Sequence, residues 1–303
     1  MAHGVPTFAA PPGFLGLDAR DWDAADWQVA GIPLDIGTTN RAGTREGPAA
    51  IRRASRMLVD GAHPVHRIDP RAEMAIADIG DMAIALGDIA SSLALIERQA
   101  AACRHLVALG GEHLVTLPLL RALRRRVGAP LGLLHMDAHC DTWADNFGQP
   151  LAHGSVFFRA IEEGLVEPRR MIQAGIRSPV DTATADWAPA RGVSVISGME
   201  AQELGPAAIA ARARAVLGEG PAYLSFDIDV LDPAFAPGTG TPEVGGLASW
   251  QAQAVLRRLG GIDWRGMDVV EVAPAHDVAE ITALAAATMA WEYLCLLGAT
   301  KRT

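Results

Sequence analysis

Apolar residues arrive in short blocks, separated by longer stretches in which they recur every three or four positions. Blocks at 75–78, 104–109, 131–136, 170–174, 193–196, 222–226 and 267–271 have the length of strands. An earlier block at 27–33 ends at Pro33, a breaker. Helical spacing runs through 89–103, 117–126, 155–163, 206–216, 249–260 and 280–295. Pro48 opens a further helix through Arg53, at a first-turn position where its missing N–H is tolerated. Buried strands alternating with amphipathic helices predict an α/β fold: a three-layer αβα sandwich around a central, mostly parallel sheet. No repeat, low-complexity tract or linker divides the chain, so 1–303 reads as one domain. Residues 1–27, with Pro11, Pro12 and Gly13 ahead of a polar Asp/Trp stretch, read as an N-terminal arm.

Composition adds limits. Half of the 303 residues are hydrophobic and a fifth are charged, which is ordinary globular usage. The net charge of -9 argues against nucleic acid held through phosphates and suits a small cationic ligand. Cys103, Cys140 and Cys295 form no CxxC pair, as expected of a reducing compartment. The first residues lack a basic segment followed by an apolar run, and no uninterrupted apolar stretch has the length of a membrane span. A cytoplasmic protein with no membrane partner is the expectation.

The chemistry gathers just beyond three strand blocks, where open α/β sheets carry their ligands. After 104–109 comes Gly110-Gly111-Glu112-His113. After 131–136 come Asp137, His139 and Asp141, two apart and so projecting to one side in extended backbone. After 222–226 come Asp227 and Asp229, with Asp232-Pro233 opening a turn. Alone, a histidine after two glycines is a turn residue, and a D-x-D pair is a helix cap. Together they are two imidazoles and four carboxylates, and uncompensated aspartates in contact repel. Mixed His/Asp ligation suits Mn, Zn, Fe, Co or Ni better than Ca or Mg. Four carboxylates point to two ions, which can share a water and lower its pKa towards neutrality. No G-x-G-x-x-G follows the first strand, which disfavours a dinucleotide-binding dehydrogenase.

With these clusters the chain resembles the ureohydrolase family (arginase, agmatinase and relatives), over nearly its whole length and closest to the agmatinase branch. The resemblance is carried by 31–35, 40–43, 47–52, 110–113, 137–141, His153-Gly154, 225–233, 235–242, 267–274 and 280–287. It implies an arginase-like fold and two divalent ions, manganese first and nickel second. His113, Asp137, Asp141 and Asp227 would surround one ion, and Asp137, His139, Asp227 and Asp229 the other. It further implies that His153 shuttles a proton, that Glu271 binds the guanidinium, and that Thr241 supports it. Asp141 could also pass the proton to the leaving amine. The implied reaction releases urea and an amine, with agmatine to putrescine as the first reading. Guanidinobutyrate, guanidinopropionate, guanidine and alkylated guanidines or biguanides are alternatives. Other classes are a non-catalytic partner subunit of a ureohydrolase complex and a single-zinc deacetylase. The family also implies a homo-oligomer, trimer or hexamer, or a hetero-oligomer with a homologous subunit.

Some positions depart from the family pattern. Glu112 stands where Asp is usual, Cys140 where a small or hydroxyl residue is usual, and His276 where an aromatic is usual. The loop 142–150 also differs, and such loops read substrate tails. Trp143 and His276 are therefore candidate specificity residues. The loop carries no basic residue, which favours a tail without a carboxylate.

Overall fold

The computed structural model describes residues 12–17, 22 and 24–300. Its eight strands are β1 (Trp27–Ile32), β2 (Ile76–Asp81), β3 (Leu106–Gly110), β4 (Leu131–Met136), β5 (Val166–Ile176), β6 (Ser194–Ser197), β7 (Pro221–Asp227) and β8 (Asp263–Val270). They form one sheet in the order β2-β1-β3-β8-β7-β4-β5-β6. Every neighbouring pair is parallel.

The period of two sorts the strand side chains onto two faces. In β3, Val107 and Leu109 join one apolar cluster, while Leu106 and Ala108 join the other. In β4, Leu134 and Met136 go one way and Leu131 and Leu133 the other. Helices α1 (Gly47–Ser55), α7 (Gly198–Leu217), α8 (Ser249–Leu256) and α9 (Ile281–Thr300) cover the first face through Ile51, Ile209, Val255 and Met289. Helices α3 (Ile89–Ala101), α4 (Thr116–Val127) and α5 (Val156–Glu162) cover the second through Ile96, Leu120 and Phe157. The expected three-layer α/β sandwich is the architecture observed.

Differences from the sequence reading have local causes. Two short helices, α2 (Pro70–Glu73) and α6 (Thr182–Trp187), carry no apolar stripe to read, and α6 buries no residue. Helix α7 starts well before the expected 206 because Gly205, at φ 69°, lets the axis break and resume at Pro206. Strand β5 extends back to Val166 through Glu167, Pro168 and Arg169, half-buried or exposed residues that carry no apolar signal.

Helix α9 is long enough and hydrophobic enough to cross a membrane by length and composition alone, although Thr282, Thr288 and Glu292 interrupt its apolar run. It is a core helix instead: 78% of its most apolar window is buried within the fold. Of the expected arm, residues 1–11, 18–21 and 23 lie outside the described residues. The described part is stitched to the core. The Phe14 amide donates to Asp78 Oδ2 at 2.6 Å, the Leu15 amide donates to Ser55 Oγ at 2.8 Å, and both side chains are buried. Trp27, the last arm residue expected, begins β1.

Candidate metal centre

The four central strands, β3, β8, β7 and β4, end side by side. Their carboxyl ends carry Gly111 to His113, Glu271, Asp227 with Asp229, and Asp137 with His139 and Asp141. Chain neighbours β3 and β4 are separated here by β7 and β8, which opens a crevice at the sheet centre. Gly111 is required for the approach: a Cβ there would lie 2.0 Å from Leu34 O. Asp141 and Glu271, just past β4 and β8, hold left-handed backbone at φ 51° and 64°. Such conformations cost side-chain-bearing residues energy and collect at functional sites.

His113 is wholly buried. Its Nδ1 stands 3.1 Å from Asp137 Oδ2, 3.0 Å from Asp141 Oδ2 and 3.2 Å from Asp227 Oδ2. These distances are within hydrogen-bond range, yet none of the contacts has hydrogen-bond geometry. The other side of the ring explains why. Thr116 Oγ1 and Tyr223 OH donate to Asp268 Oδ2 at 2.7 and 2.9 Å, and Ser225 Oγ donates to Asp268 Oδ1 at 2.7 Å. Burial pushes Asp268 up from the ordinary carboxyl value, with His113 and these hydroxyls holding it back. With its proton spent on Asp268, Ser225 Oγ accepts from His113 Nε2, 2.8 Å away. The ring therefore donates from Nε2, while Nδ1, without a hydrogen-bond partner, faces three carboxylate oxygens. Burial disfavours a charge on the ring, but those carboxylates raise its pKa well above the ordinary value. Buried carboxylates gathered this closely repel unless a cation lies among them.

A second set adjoins it. His139 Nδ1 is 3.0 Å from Asp229 Oδ2 and 3.4 Å from Asp137 Oδ1. Asp137 thus presents one oxygen to each histidine. Burial, with Asp229 and Asp137 facing it, pushes Asp227 well above the ordinary carboxyl value. Burial and Asp137 move Asp229 the same way. The donor atoms, their spacing and this crowding of acids fit two divalent cations sharing Asp137.

Glu271 lies behind this centre. Its Oε1 accepts from the His113 amide at 2.8 Å and stands 3.1 Å from His153 Nδ1, while its Oε2 is buried with no partner. Burial opposes the charge on His153, but the bond to Glu271 prevails and lifts its pKa to about 9. His153 Nε2 meets Thr39 Oγ1 at 2.8 Å. Glu112 accepts from the Ile36 and Gly37 amides, and burial beside Glu271 pushes its pKa up to about 7.

A cavity of about 450 Å³ opens from the cluster to solvent. His139, Asp141, Trp143, His153, Asp227 and Thr241 line it, and so does Arg41, the one Lys or Arg on its wall among the described residues. Glu243 stands on the same wall. Thr241 Oγ1 reaches Asp229 Oδ2 only at 3.4 Å. His276 lies outside the wall, on the turn Pro274–His276, with Nε2 3.2 Å from Ala42 O. The sequence reading did not single out His135, Gln173, Asp268 or Arg41. His135 was within its reach, two residues before Asp137 in the same alternation.

The arginase family model matches residues 25–295. A guanidinopropionase of Pseudomonas aeruginosa is 50% identical, covering 98% of this chain and 94% of the relative. An agmatinase of Chromobacterium violaceum is 42% identical, covering 96% and 90%. The structure of proclavaminate amidino hydrolase from Streptomyces clavuligerus superposes with a TM-score of 0.92 at 35% identity, over 98% of this chain and all of the other. The chain belongs to the arginase family, whose members depend on a binuclear metal centre. It is a hydrolase acting on guanidino carbon–nitrogen bonds.

Proposed function

We propose that the protein hydrolyses a small guanidino compound to urea and an amine, as one catalytic unit spanning the chain. His113, Asp137, Asp141 and Asp227 would hold one divalent ion, and Asp137, His139, Asp227 and Asp229 the second. The observation that carries this reading is the unpartnered Nδ1 of His113 facing three carboxylates, with Asp137 shared between two histidines. Manganese is the proposed metal and nickel the alternative; such a pair supplies a water acidified enough to act as a nucleophile.

The chain's own residues do the rest. Four aspartates offset the four positive charges of two divalent ions, and Glu271 Oε1 is taken up by His153 and the His113 amide. Glu271 Oε2 is the buried acceptor still free to pair with a flat guanidinium. Fixing the guanidinium there holds its poorly electrophilic carbon in one place. His153, protonated near neutral pH and lining the cavity, holds the proton that the leaving amine needs. Asp141 is the alternative carrier.

For the tail, we favour a short guanidino acid of the guanidinopropionate kind. The loop 142–150 lacks a basic group, but Arg41, from a separate loop, supplies one to the cavity wall. The 50% identical guanidinopropionase supports the same choice. Agmatine, with an ammonium tail, is the second reading, supported by Glu243 on that wall. Trimeric or hexameric self-association is supported by Phe235, Ile281 and Leu284, which line one exposed groove.

The test is urea release by manganese- and nickel-loaded protein over guanidinopropionate, guanidinobutyrate, agmatine, arginine, guanidine and biguanides. Preferred turnover of guanidinopropionate, lost selectively in Arg41→Ala, is expected. Preference for agmatine that is insensitive to Arg41→Ala overturns the tail assignment; no urea from any substrate overturns the reaction.

A further inference from the structure

The geometry points to His135 as a positioning residue for Asp137, an imidazole whose Nε2–H fixes which carboxylate oxygen faces which metal site. This rests on the ligand set proposed above.

His135 sits inside β4, wholly buried, and is paired across the ladder with Gln173 of β5. Its protonation follows from its neighbours. Gln173 Nε2 lies 2.6 Å from Cys140 O. A carbonyl oxygen only accepts, so the Gln173 atom facing it is the amide nitrogen. That nitrogen has a second hydrogen, and His135 Nδ1 is 3.0 Å away. Nδ1 therefore accepts, and the ring proton is on Nε2. Nε2 points at Asp137 Oδ2, 2.7 Å away, and donates to it. The ring cannot turn aside: Phe157 packs on it with centroids 4.2 Å apart, and His113 stands 5.2 Å off at a steep angle.

Asp137 is thereby held at both oxygens. His135 donates to Oδ2, and the His139 amide donates to Oδ1. Each oxygen keeps its remaining lone pair for a different histidine, Oδ2 towards His113 and Oδ1 towards His139. His135 is thus specific to the His113 side. Its loss frees Oδ2 alone, while Oδ1 stays pinned by backbone. Outer hydrogen-bond partners of metal ligands are typically worth about ten- to a hundred-fold in metal affinity.

The test is equilibrium dialysis of the full chain against graded Mn²⁺, with bound metal counted per chain. In His135→Phe, one ion should bind as in the wild type and the other about ten- to a hundred-fold more weakly. His135→Gln, whose amide can still donate to Oδ2, should restore the second ion to within a few-fold. Gln173→Leu, which leaves the tautomer unfixed, should weaken the same ion. Equal affinities for both ions in His135→Phe and the wild type overturn the inference. So does equal weakening of both ions without rescue in His135→Gln. If His135→Phe does not fold, Gln173→Leu decides, and unchanged affinity there overturns it. Asp137→Ala separates the two levels: two ions retained in that variant overturn the ligand set itself, whatever His135 does.

Discussion

Two buried clusters in this molecule gather imidazoles and carboxylates, and only one of them calls for a metal. In the cluster closed by α9, His63, His66 and Glu292 bring potential ligand atoms within 4.8 Å of one another. Glu292, on α9, accepts from Arg257 Nε at 2.9 and 3.0 Å and from His63 Nε2 at 2.9 Å. His63 Nδ1 accepts the amides of Val65 and His66 at 3.1 and 2.9 Å, so the ring proton is on Nε2, aimed at Glu292. A cation could enter only by displacing that proton and Arg257. At the sheet centre the arrangement is reversed. His113 Nδ1 has no hydrogen-bond partner, and among the described residues the side-chain ion-pair partners of Asp137, Asp141, Asp227 and Asp229 are histidines alone. Donor type and spacing are nearly the same in both places. What separates them is where the protons sit and whether the protein supplies its own counter-charge.

The contrast can be broken most forcefully at Asp137. Asp137→Ala should lower kcat/KM for urea release by about a thousand-fold or more, the scale of losing an electrostatic centre of catalysis. It should also reduce bound manganese below two ions per chain, while the chelated variant keeps a denaturant stability close to that of the chelated wild type. Activity and metal retained together would show that the central cluster is structural. The mirror experiment is Glu292→Ala, which strands Arg257 and His63. It should cost about 3 kcal/mol of unfolding free energy, the lower end for breaking a buried pair because Arg257 is partly exposed. Metal content per folded chain should not change. Loss of metal in that variant would erase the distinction drawn here.

Chelation should act on the centre alone. Manganese at about a hundred times its dissociation constant should add about 2.7 kcal/mol of stability over the chelated protein, read as a reversible shift in melting temperature. Glu292→Ala should show the same increment from a lower starting point. The smallest effect expected is on acid stability. Burial opposes the charge on Glu292, but His63 and Arg257 hold its pKa below the ordinary 4.5. A lowered carboxylate stabilises the fold above its unfolded pKa and loses that contribution as pH falls through the folded one. The stability gap between wild type and Glu292→Gln should therefore be constant above about pH 4.5 and shrink below it. A gap that widens in acid contradicts the pairing.

Much of the centre was legible because its residues are close in sequence and repeat every second position. Asp137, His139 and Asp141, and Asp227 with Asp229, declare a shared side before any fold is known. The strands were legible for the same reason, as apolar runs too short for helices. What stayed hidden depends on contacts between strands. Gln173 meets His135 only because β5 pairs with β4, and Asp268 meets Ser225 only because β8 pairs with β7. Arg41 joins the cavity from a loop far in sequence from His139, Trp143 and Glu243 on the same wall. His276, a candidate specificity residue, meets the backbone of Ala42, a contact between distant loops that no sequence pattern announces. Helix α6 was missed because it buries nothing, so no pattern selects it.

Helix α9 has a consequence for how the molecule is made. A ribosome delivers it after every strand, at roughly 5–20 residues per second. Until then the first face of the sheet lacks Met289, Tyr293 and Leu294, and α1 lacks the neighbour it packs against. Arg257 and His63 also wait for Glu292, which closes their cluster from more than thirty and more than two hundred residues away. Until α9 emerges, the part of that face not covered by α1, α7 and α8 therefore stays open, and closing it is a late step in completing the core.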